Sequence, residues 1–219
     1  VVDSEYQIFT PARDYKRALD GDGGPNTGGM GAVASRQLVD KALLDQIDRE
    51  IVKPTVDGLV SDGLPYRGFI YFGLMITEAG PKIIEYNCRF GDPECQAVMP
   101  IVSGDMAAFC LEGAKGNLNE DLLSFSDGWS VCLVKASAGY PESSRSGDVI
   151  SGLENVSNAR VYHAGTRKNA EGNWETNGGR VLAVVAGGDD RMSAVEAAYT
   201  ELAKVEFDGM QSRTDVGVF

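Results

Sequence analysis

The residues best suited to chemistry lie in segment 83–94, which reads Ile-Ile-Glu-Tyr-Asn-Cys-Arg-Phe-Gly-Asp-Pro-Glu. Apolar residues lead into it, so Glu85 and Asn87 are predicted near the end of a strand, where residues i and i+2 share a face. A carboxylate and an amide oxygen are ligands that suit Mg²⁺, which takes its other ligands from water and substrate phosphates. Arg89, on the same face, could stabilise a transferring phosphoryl group. A strand with one solvated polar face is the alternative.

A second segment, residues 21–31, reads Gly-Asp-Gly-Gly-Pro-Asn-Thr-Gly-Gly-Met-Gly. Glycines let backbone N–H groups surround an anion closely. A Walker A loop is excluded because no Lys is present, and the loose dinucleotide pattern at residues 29–34 lacks a buried strand before it. A flexible surface loop remains the alternative. The substrate-binding candidates in this segment are Asn26, Thr27, Gly28, Gly29 and Gly31.

The charge balance of the chain argues against nucleic acid as a partner. Lys plus Arg number 20 against 32 Asp plus Glu, a net charge of −12, which repels phosphate backbones at long range. No window of about 18 apolar residues occurs, so no membrane span is predicted. With 43% hydrophobic residues, the 219 residues suffice for one large domain or two small ones.

The cysteines and the first residues bear on location and completeness. Four scattered cysteines form no Cys-x-x-Cys pair, and the single histidine, His163, lies far from them, so a zinc site is not expected. Scattered cysteines without an export signal indicate reduced thiols and a cytoplasmic protein. The start at Val1, without a Met, is interpreted as a cut into a longer chain.

Hydrophobic periodicity indicates which elements must position the candidate residues. Residues 37–59 have helical spacing, and Pro54 is expected to kink or restart the helix. Residues 68–77 and 81–89 are predicted to form a β-hairpin whose strands are buried on both faces. A polar stretch at 116–127 marks a boundary.

The other predicted elements complete two domains, residues 1–120 and 121–219. They are a short strand at 6–10, a helix at 106–115 with Asp105 as N-cap, strands at 129–136, 160–166 and 180–186, and a helix from 191 to about 205, capped by Asp189 or Asp190.

Several strings in the sequence resemble one known family. The Glu-x-Asn-x-Arg pattern resembles the metal-binding signature of ATP-grasp enzymes, and segment 85–94 is similar to glycinamide ribonucleotide synthetases in particular. Segments 13–17 and 25–31, and then 162–166 and 176–181, resemble the same family in the expected order. The resemblance covers nearly the whole chain. It implies an α/β fold: part of an ATP-grasp domain with a mainly antiparallel sheet and flanking helices, plus a small C-terminal α/β domain.

The resemblance also implies a reaction. ATP phosphorylates glycine to glycyl phosphate, the amine of 5-phosphoribosylamine attacks it, and glycinamide ribonucleotide, ADP and phosphate leave. Glu85 and Asn87 would hold Mg²⁺ or Mn²⁺, and Arg89 would be the catalytic residue. Asp92 would bind the glycine ammonium, Lys16 would contact phosphate, and the glycine loop would cradle the ribose phosphate.

The family also has an upstream domain and an ATP-clamping lobe, which are expected to lie before Val1 or on a separate polypeptide. The chain alone is therefore predicted to be inactive. Another ATP-grasp ligase or carboxylase would share Glu85, Asn87 and Arg89 but not the Gly-Asp-Pro-Glu string. A non-catalytic nucleotide or ribose-phosphate binding module is the third alternative.

Overall fold

The computed structural model describes residues 1–219 and has thirteen strands and five α-helices. The strands are β1 (Ala12–Asp14), β2 (Arg17–Leu19), β3 (Gly23–Asn26), β4 (Gly31–Ala34), β5 (Tyr71–Thr77), β6 (Gly80–Asn87), β7 (Val102–Gly104), β8 (Leu123–Phe125), β9 (Trp129–Ala136), β10 (Arg160–His163), β11 (Thr166–Lys168), β12 (Trp174–Thr176) and β13 (Arg180–Gly188). The α-helices are α1 (Lys41–Ile47), α2 (Lys53–Ser61), α3 (Glu94–Val98), α4 (Met106–Lys115) and α5 (Arg191–Leu202).

The chain packs as two units, each built from separate stretches of sequence. One unit comprises residues 1–10, 36–91 and 102–126, and the other comprises 11–35, 92–101 and 127–219. The second unit takes in early residues because β4 pairs with β9, more than 90 residues later, at Gly31 opposite Leu133. Strand pairing therefore joins residues that lie on either side of residue 120 in the sequence. The division into domains 1–120 and 121–219 stays a prediction.

The second unit is built on a five-stranded antiparallel sheet in the order β1-β4-β9-β13-β10. Strands β9 and β13 are almost wholly buried, and α5 packs against both through Ala194, Ala198 and Leu202. Asp190 begins α5 with a capping box. Its side chain accepts from Ser193 N–H, and Ser193 Oγ accepts from Asp190 N–H. The predicted strand at 129–136 and the predicted capped helix are confirmed, as is the α/β fold with an antiparallel sheet and flanking helices.

The first unit has an aromatic core around Phe9. Its ring contacts Phe69, Phe90, Phe109 and Phe125 edge to face, with centroids 5.2–6.0 Å apart. Phe109 lies on α4, which Asp105 caps as predicted by accepting from Ala108 N–H at 2.8 Å. Residues 6–10 lie outside any strand, so the short strand predicted there is wrong.

The predicted helix at 37–59 contains a change of helix type. A π-helical turn, Asp48–Val52, joins α1 to α2, and Pro54 is in the first turn of α2. Proline has no N–H, so the regular helical hydrogen bond to the carbonyl four residues earlier cannot form at Pro54. The π turn lies directly before this missing hydrogen bond. The predicted restart at Pro54 is thus confirmed. None of the helices in the chain has the length and apolar character that a membrane span needs.

The hairpin β5–β6 differs from its prediction in burial. Its strands pair only with each other, and Met75, Ile76 and Ile84 are 54%, 50% and 62% exposed. A two-stranded sheet with no further strand beside it leaves side chains open that a wider sheet would cover. Double burial of these strands was therefore a wrong prediction for this chain.

Candidate functional site

The predicted metal ligands lie at the end of β6. Tyr86, between them, turns toward α2, where its hydroxyl is 3.0 Å from Thr55 Oγ1. The pleat of a strand therefore directs Glu85 and Asn87 to the other face. Glu85 is exposed and Asn87 is half-buried.

Glycine at position 73 makes room for Glu85. The two residues are register partners in the hairpin, and a Cβ at Gly73 would lie 2.7 Å from Glu85 Cγ. Any side chain at position 73 would therefore collide with the Glu85 side chain. The register shifts next to this pair, so Ile84 is the extra residue of a β-bulge, a feature that re-aims neighbouring side chains.

The side-chain oxygens of Glu85 and Asn87 suit a hard divalent cation, but they would fill only some of its coordination positions. Arg89 donates to Asn87 Oδ1 at 3.3 Å and to Phe90 O at 2.7 Å, and an amide oxygen with one such bond keeps a second lone pair. Glu85 and Asn87 thus offer two oxygen ligands, and no group of three or more His, Cys, Asp or Glu that could hold a metal occurs in the chain. Mg²⁺ bound here would depend on water and phosphate for its remaining positions.

The first half of the glycine loop is a hairpin fixed by the C-terminal segment. Strands β2 and β3 pair, and Gly21, with φ +63°, lies in the turn between them. Gly21 N–H donates to Asp215 Oδ2 at 2.8 Å, and Thr214 N–H donates to Asp20 Oδ1 at 2.8 Å. This part of the loop is exposed, and hydrogen bonds to residues 214 and 215 fix its turn.

Arg213 is the centre of that attachment. Its side chain is only 1% exposed, and it donates to both carboxylate oxygens of Asp215, to Asp22 Oδ1 and to the Arg17 carbonyl at 2.7–3.2 Å. The guanidinium holds the pKa of Asp215 well below its ordinary value of 3.8.

Replacing Arg213 should therefore destabilise the chain. We expect Arg213→Met to lower the free energy of unfolding in urea at pH 7 by about 2 kcal/mol, because it removes the charge-assisted hydrogen bonds to Asp215 and Asp22. Asp215 is stabilised in its ionised form in the folded state, so this contribution is present at neutral pH and is lost as the pH falls below 3.8. The difference in unfolding free energy between Arg213→Met and the parent chain should therefore become smaller as the pH falls below 3.8.

The matched control for this measurement is Arg160→Met, which removes an exposed guanidinium from β10 in the same unit. It should change stability by no more than about 0.5 kcal/mol. Equal effects of the two substitutions would show that the Arg213 ion pairs contribute nothing.

The second half of the loop, Thr27 to Met30, is fixed by residues from the C-terminal part of the chain. Gly28 N–H donates to Tyr140 Oη at 2.9 Å, and Arg180 donates to the Gly28 carbonyl at 3.0 Å. Arg180 also donates to the Asp92 carbonyl at 2.7 Å and forms an ion pair with the Asp92 carboxylate at 3.0 Å. Arg180 thereby ties the loop to the Gly-Asp-Pro-Glu string.

Most loop N–H groups are already used inside the protein. Thr27 N–H donates to Lys16 O, Gly29 N–H to Thr27 Oγ1 and Met30 N–H to Tyr15 O. Gly31 is buried in β4, where a Cβ would lie 2.8 Å from Cys132 O, so close strand packing explains this glycine. Asn26 Oδ1 accepts from Arg17 at 3.3 Å. An anion held by the backbone of residues 27–30 would have to displace these bonds.

Lys16 lies between two carboxylates. Its ammonium forms an ion pair with Asp14 and lies 4.0 Å from Glu94 Oε1. Burial and the nearby Glu94 carboxylate raise the pKa of Asp14 from 3.8 to about 6. Around Lys16 the charge is thus negative in sum, which does not favour phosphate.

The site residues that sequence reasoning missed are Asp14, Glu94, Tyr140, Arg180 and Arg213. Asp14 and Glu94 stand inside strings that were singled out, beside predicted site residues, but nothing in the spacing joins them. Arg180 begins a β-rich run, where a charged residue is a weak signal on its own.

Two family models match successive parts of the chain. Residues 1–95 match the model of the ATP-grasp (A) domain of phosphoribosylglycinamide synthetase, and residues 130–218 match the model of its C domain. Phosphoribosylamine–glycine ligases of Caldanaerobacter subterraneus and Caulobacter vibrioides are each 44% identical, over 94% and 96% of this chain and 49% and 50% of theirs. The chain spans about half the length of the curated relatives it matches.

Solved structures agree. A crystal structure of phosphoribosylamine–glycine ligase from Thermotoga maritima has a TM-score of 0.87 at 34% identity and covers 99% of this chain and 53% of that one. The biotin carboxylase subunit of pyruvate carboxylase has a TM-score of 0.55 at 14% identity, over 84% of this chain and 40% of that one, which shows a likeness of fold alone.

The fold and the family matches together define part of an ATP-grasp protein. The chain belongs to the phosphoribosylglycinamide synthetase family.

Proposed function

We propose that this chain is the metal-binding and acceptor-side part of a phosphoribosylamine–glycine ligase, which joins glycine to 5-phosphoribosylamine with ATP as co-substrate in purine synthesis. The observation that carries the proposal is the match to both family models, in order, with Glu85 and Asn87 at the end of β6. ATP-grasp enzymes in general use ATP with Mg²⁺ or Mn²⁺.

Glu85 and Asn87 would hold the metal ion, which when bound neutralises charge on the phosphates. Arg89, whose guanidinium now donates to Asn87 and Phe90, would reorient to stabilise the transferring phosphoryl group. Asn26, Thr27 and Lys16 remain candidates for contact with the acceptor through their side chains. Gly28 and Gly29 also remain candidates, but they have no side chains and their N–H groups are already bonded, so contact through those groups would require these bonds to be displaced. We further propose a cytoplasmic protein, in keeping with four unpaired thiols.

Asp92 is a weaker candidate for the glycine ammonium than its position in the sequence suggests. Its carboxylate is already paired with Arg180 and accepts from Gln96 at 3.2 Å. A charge that is compensated within the protein attracts a second cation less strongly.

The test is turnover by the chain joined to the upstream half of the Caulobacter vibrioides relative, 44% identical in the shared part. ADP release should require Mg²⁺, glycine and freshly made phosphoribosylamine together. Bicarbonate should not replace glycine, which separates the ligase from the carboxylases that share the fold. Release of ADP that depends on bicarbonate and ignores glycine would contradict the proposal.

A further inference from the structure

Two buried carboxylates lie side by side in the unit formed by residues 11–35, 92–101 and 127–219. Asp14 ends β1 and Glu94 begins α3, and their side chains are only 8% and 5% exposed. Their sole ammonium neighbour is Lys16, which pairs with Asp14 and is 45% exposed. Two negative charges therefore share one positive charge.

Glu94 lies further from the Lys16 ammonium than Asp14 does. Neither of its carboxylate oxygens accepts a hydrogen bond, although both are buried, and Lys16 lies 4.0 Å away. A buried carboxylate without donors is costly unless a cation or a donor reaches it. Arg180 does not fill this role, because its guanidinium is paired with Asp92.

The backbone at Gly29 approaches the pair closely. Gly29 has φ +117°, and a Cβ there would lie 2.9 Å from Asp14 Oδ1 and 2.5 Å from Pro93 Cδ. A glycine is therefore needed at position 29 for this close approach. Lys16, whose own ammonium docks there, shows that a primary ammonium has the right size and charge.

We propose that Asp14 and Glu94 form a subsite for the primary ammonium or amine of a substrate, next to the ammonium of Lys16. The proposal rests on the proposed function, in which glycine and phosphoribosylamine each carry a primary amine. A second ammonium would balance the remaining charge and give Glu94 the donors that it lacks.

A site of this kind should weaken the fold when empty. With its pKa raised to about 6, Asp14 binds a proton more readily in the folded chain than in the unfolded chain. Stability should therefore fall as the pH rises from about 4 to about 6, and the loss should persist above that range. The groups that face Asp14 are Glu94 on α3, Lys16 beyond β1, and the buried thiol of Cys132 on β9, with the Asp92–Arg180 pair further off.

The experiment follows the carboxyl ¹³C signals of the 219-residue chain by NMR during titration at pH 7.5. The probes are glycine, O-phosphoethanolamine as a stable amine with a phosphate, ribose 5-phosphate, which has no amine, and MgCl₂ alone. We expect an amine probe to shift the Asp14 and Glu94 signals with millimolar affinity, while ribose 5-phosphate does not. A response to glycine assigns the subsite to the donor, and a response to O-phosphoethanolamine assigns it to the acceptor.

Asp14→Asn and Glu94→Gln should each weaken that binding at least about fivefold, whereas Glu154→Gln, an exposed carboxylate of the same unit, should leave it unchanged. Asp14→Asn should also unfold at a higher temperature than the parent chain at pH 8 and at the same temperature at pH 4, which shows that the variant is folded.

The inference is overturned if neither amine shifts these signals in the parent chain, or if MgCl₂ alone produces the same shift. Because this binding needs neither ATP nor the upstream half, its failure would leave the ligase proposal standing. Amine binding without ligase turnover in the joined enzyme would support the amine subsite and contradict the ligase proposal.

Discussion

Residues 1–219 alone should show no ADP release that depends on both glycine and phosphoribosylamine. The curated relatives are about twice as long, and an ATP-grasp enzyme clamps ATP between two lobes. Loss of the upstream contacts removes the positioning that makes phosphoryl transfer effectively unimolecular, which can lower the barrier by about 7–11 kcal/mol. The two proposed metal ligands, Glu85 and Asn87, cannot replace that contribution.

The measurement compares the purified chain with the joined enzyme at equal concentration, in a coupled assay for ADP. Calorimetric titration of the chain with glycinamide ribonucleotide serves as a check that it is folded and competent, since weak binding at the retained loop is expected. Robust turnover by the chain alone would mean that residues 1–219 contain a complete ATP site.

Glu85→Ala in the joined enzyme should abolish Mg²⁺-dependent turnover, with a loss of about a hundredfold or more at millimolar Mg²⁺. A carboxylate ligand fixes the ion against the phosphates, and an ion so placed contributes several kcal/mol to transition-state stabilisation. Since Glu85 is exposed, the variant should fold normally. Urea unfolding of the two proteins should therefore coincide.

Glu78→Ala is the matched control, because Glu78 is an exposed carboxylate in the turn of the same hairpin. It should retain nearly full activity. A loss of less than about tenfold in Glu85→Ala at millimolar Mg²⁺ would show that the metal assignment is wrong.

The parts of the fold that the sequence predicts correctly are those that depend on interactions between residues close together in the chain. Asp105 was expected to cap α4, and Asp189 or Asp190 to cap α5. Asp105 and Asp190 are the caps, because a cap needs only a side chain and an N–H three residues away. The hairpin β5–β6 follows from its turn, although its burial does not. Burial depends on which strands lie beside it, and a short segment does not specify that.

The sequence by itself determined the longer helices and strands and the family. It also determined the shared face of Glu85 and Asn87, because strand periodicity fixes the direction of neighbouring side chains. Only the tertiary structure decided which charges meet. Arg180 reaches Gly28 across 152 residues, and Arg213 reaches Asp22 across 191. Asp14 meets Glu94 because β1 joins β4 and β9 in one sheet against which α3 packs. Such meetings depend on strand order and packing between distant segments, which local propensities do not encode.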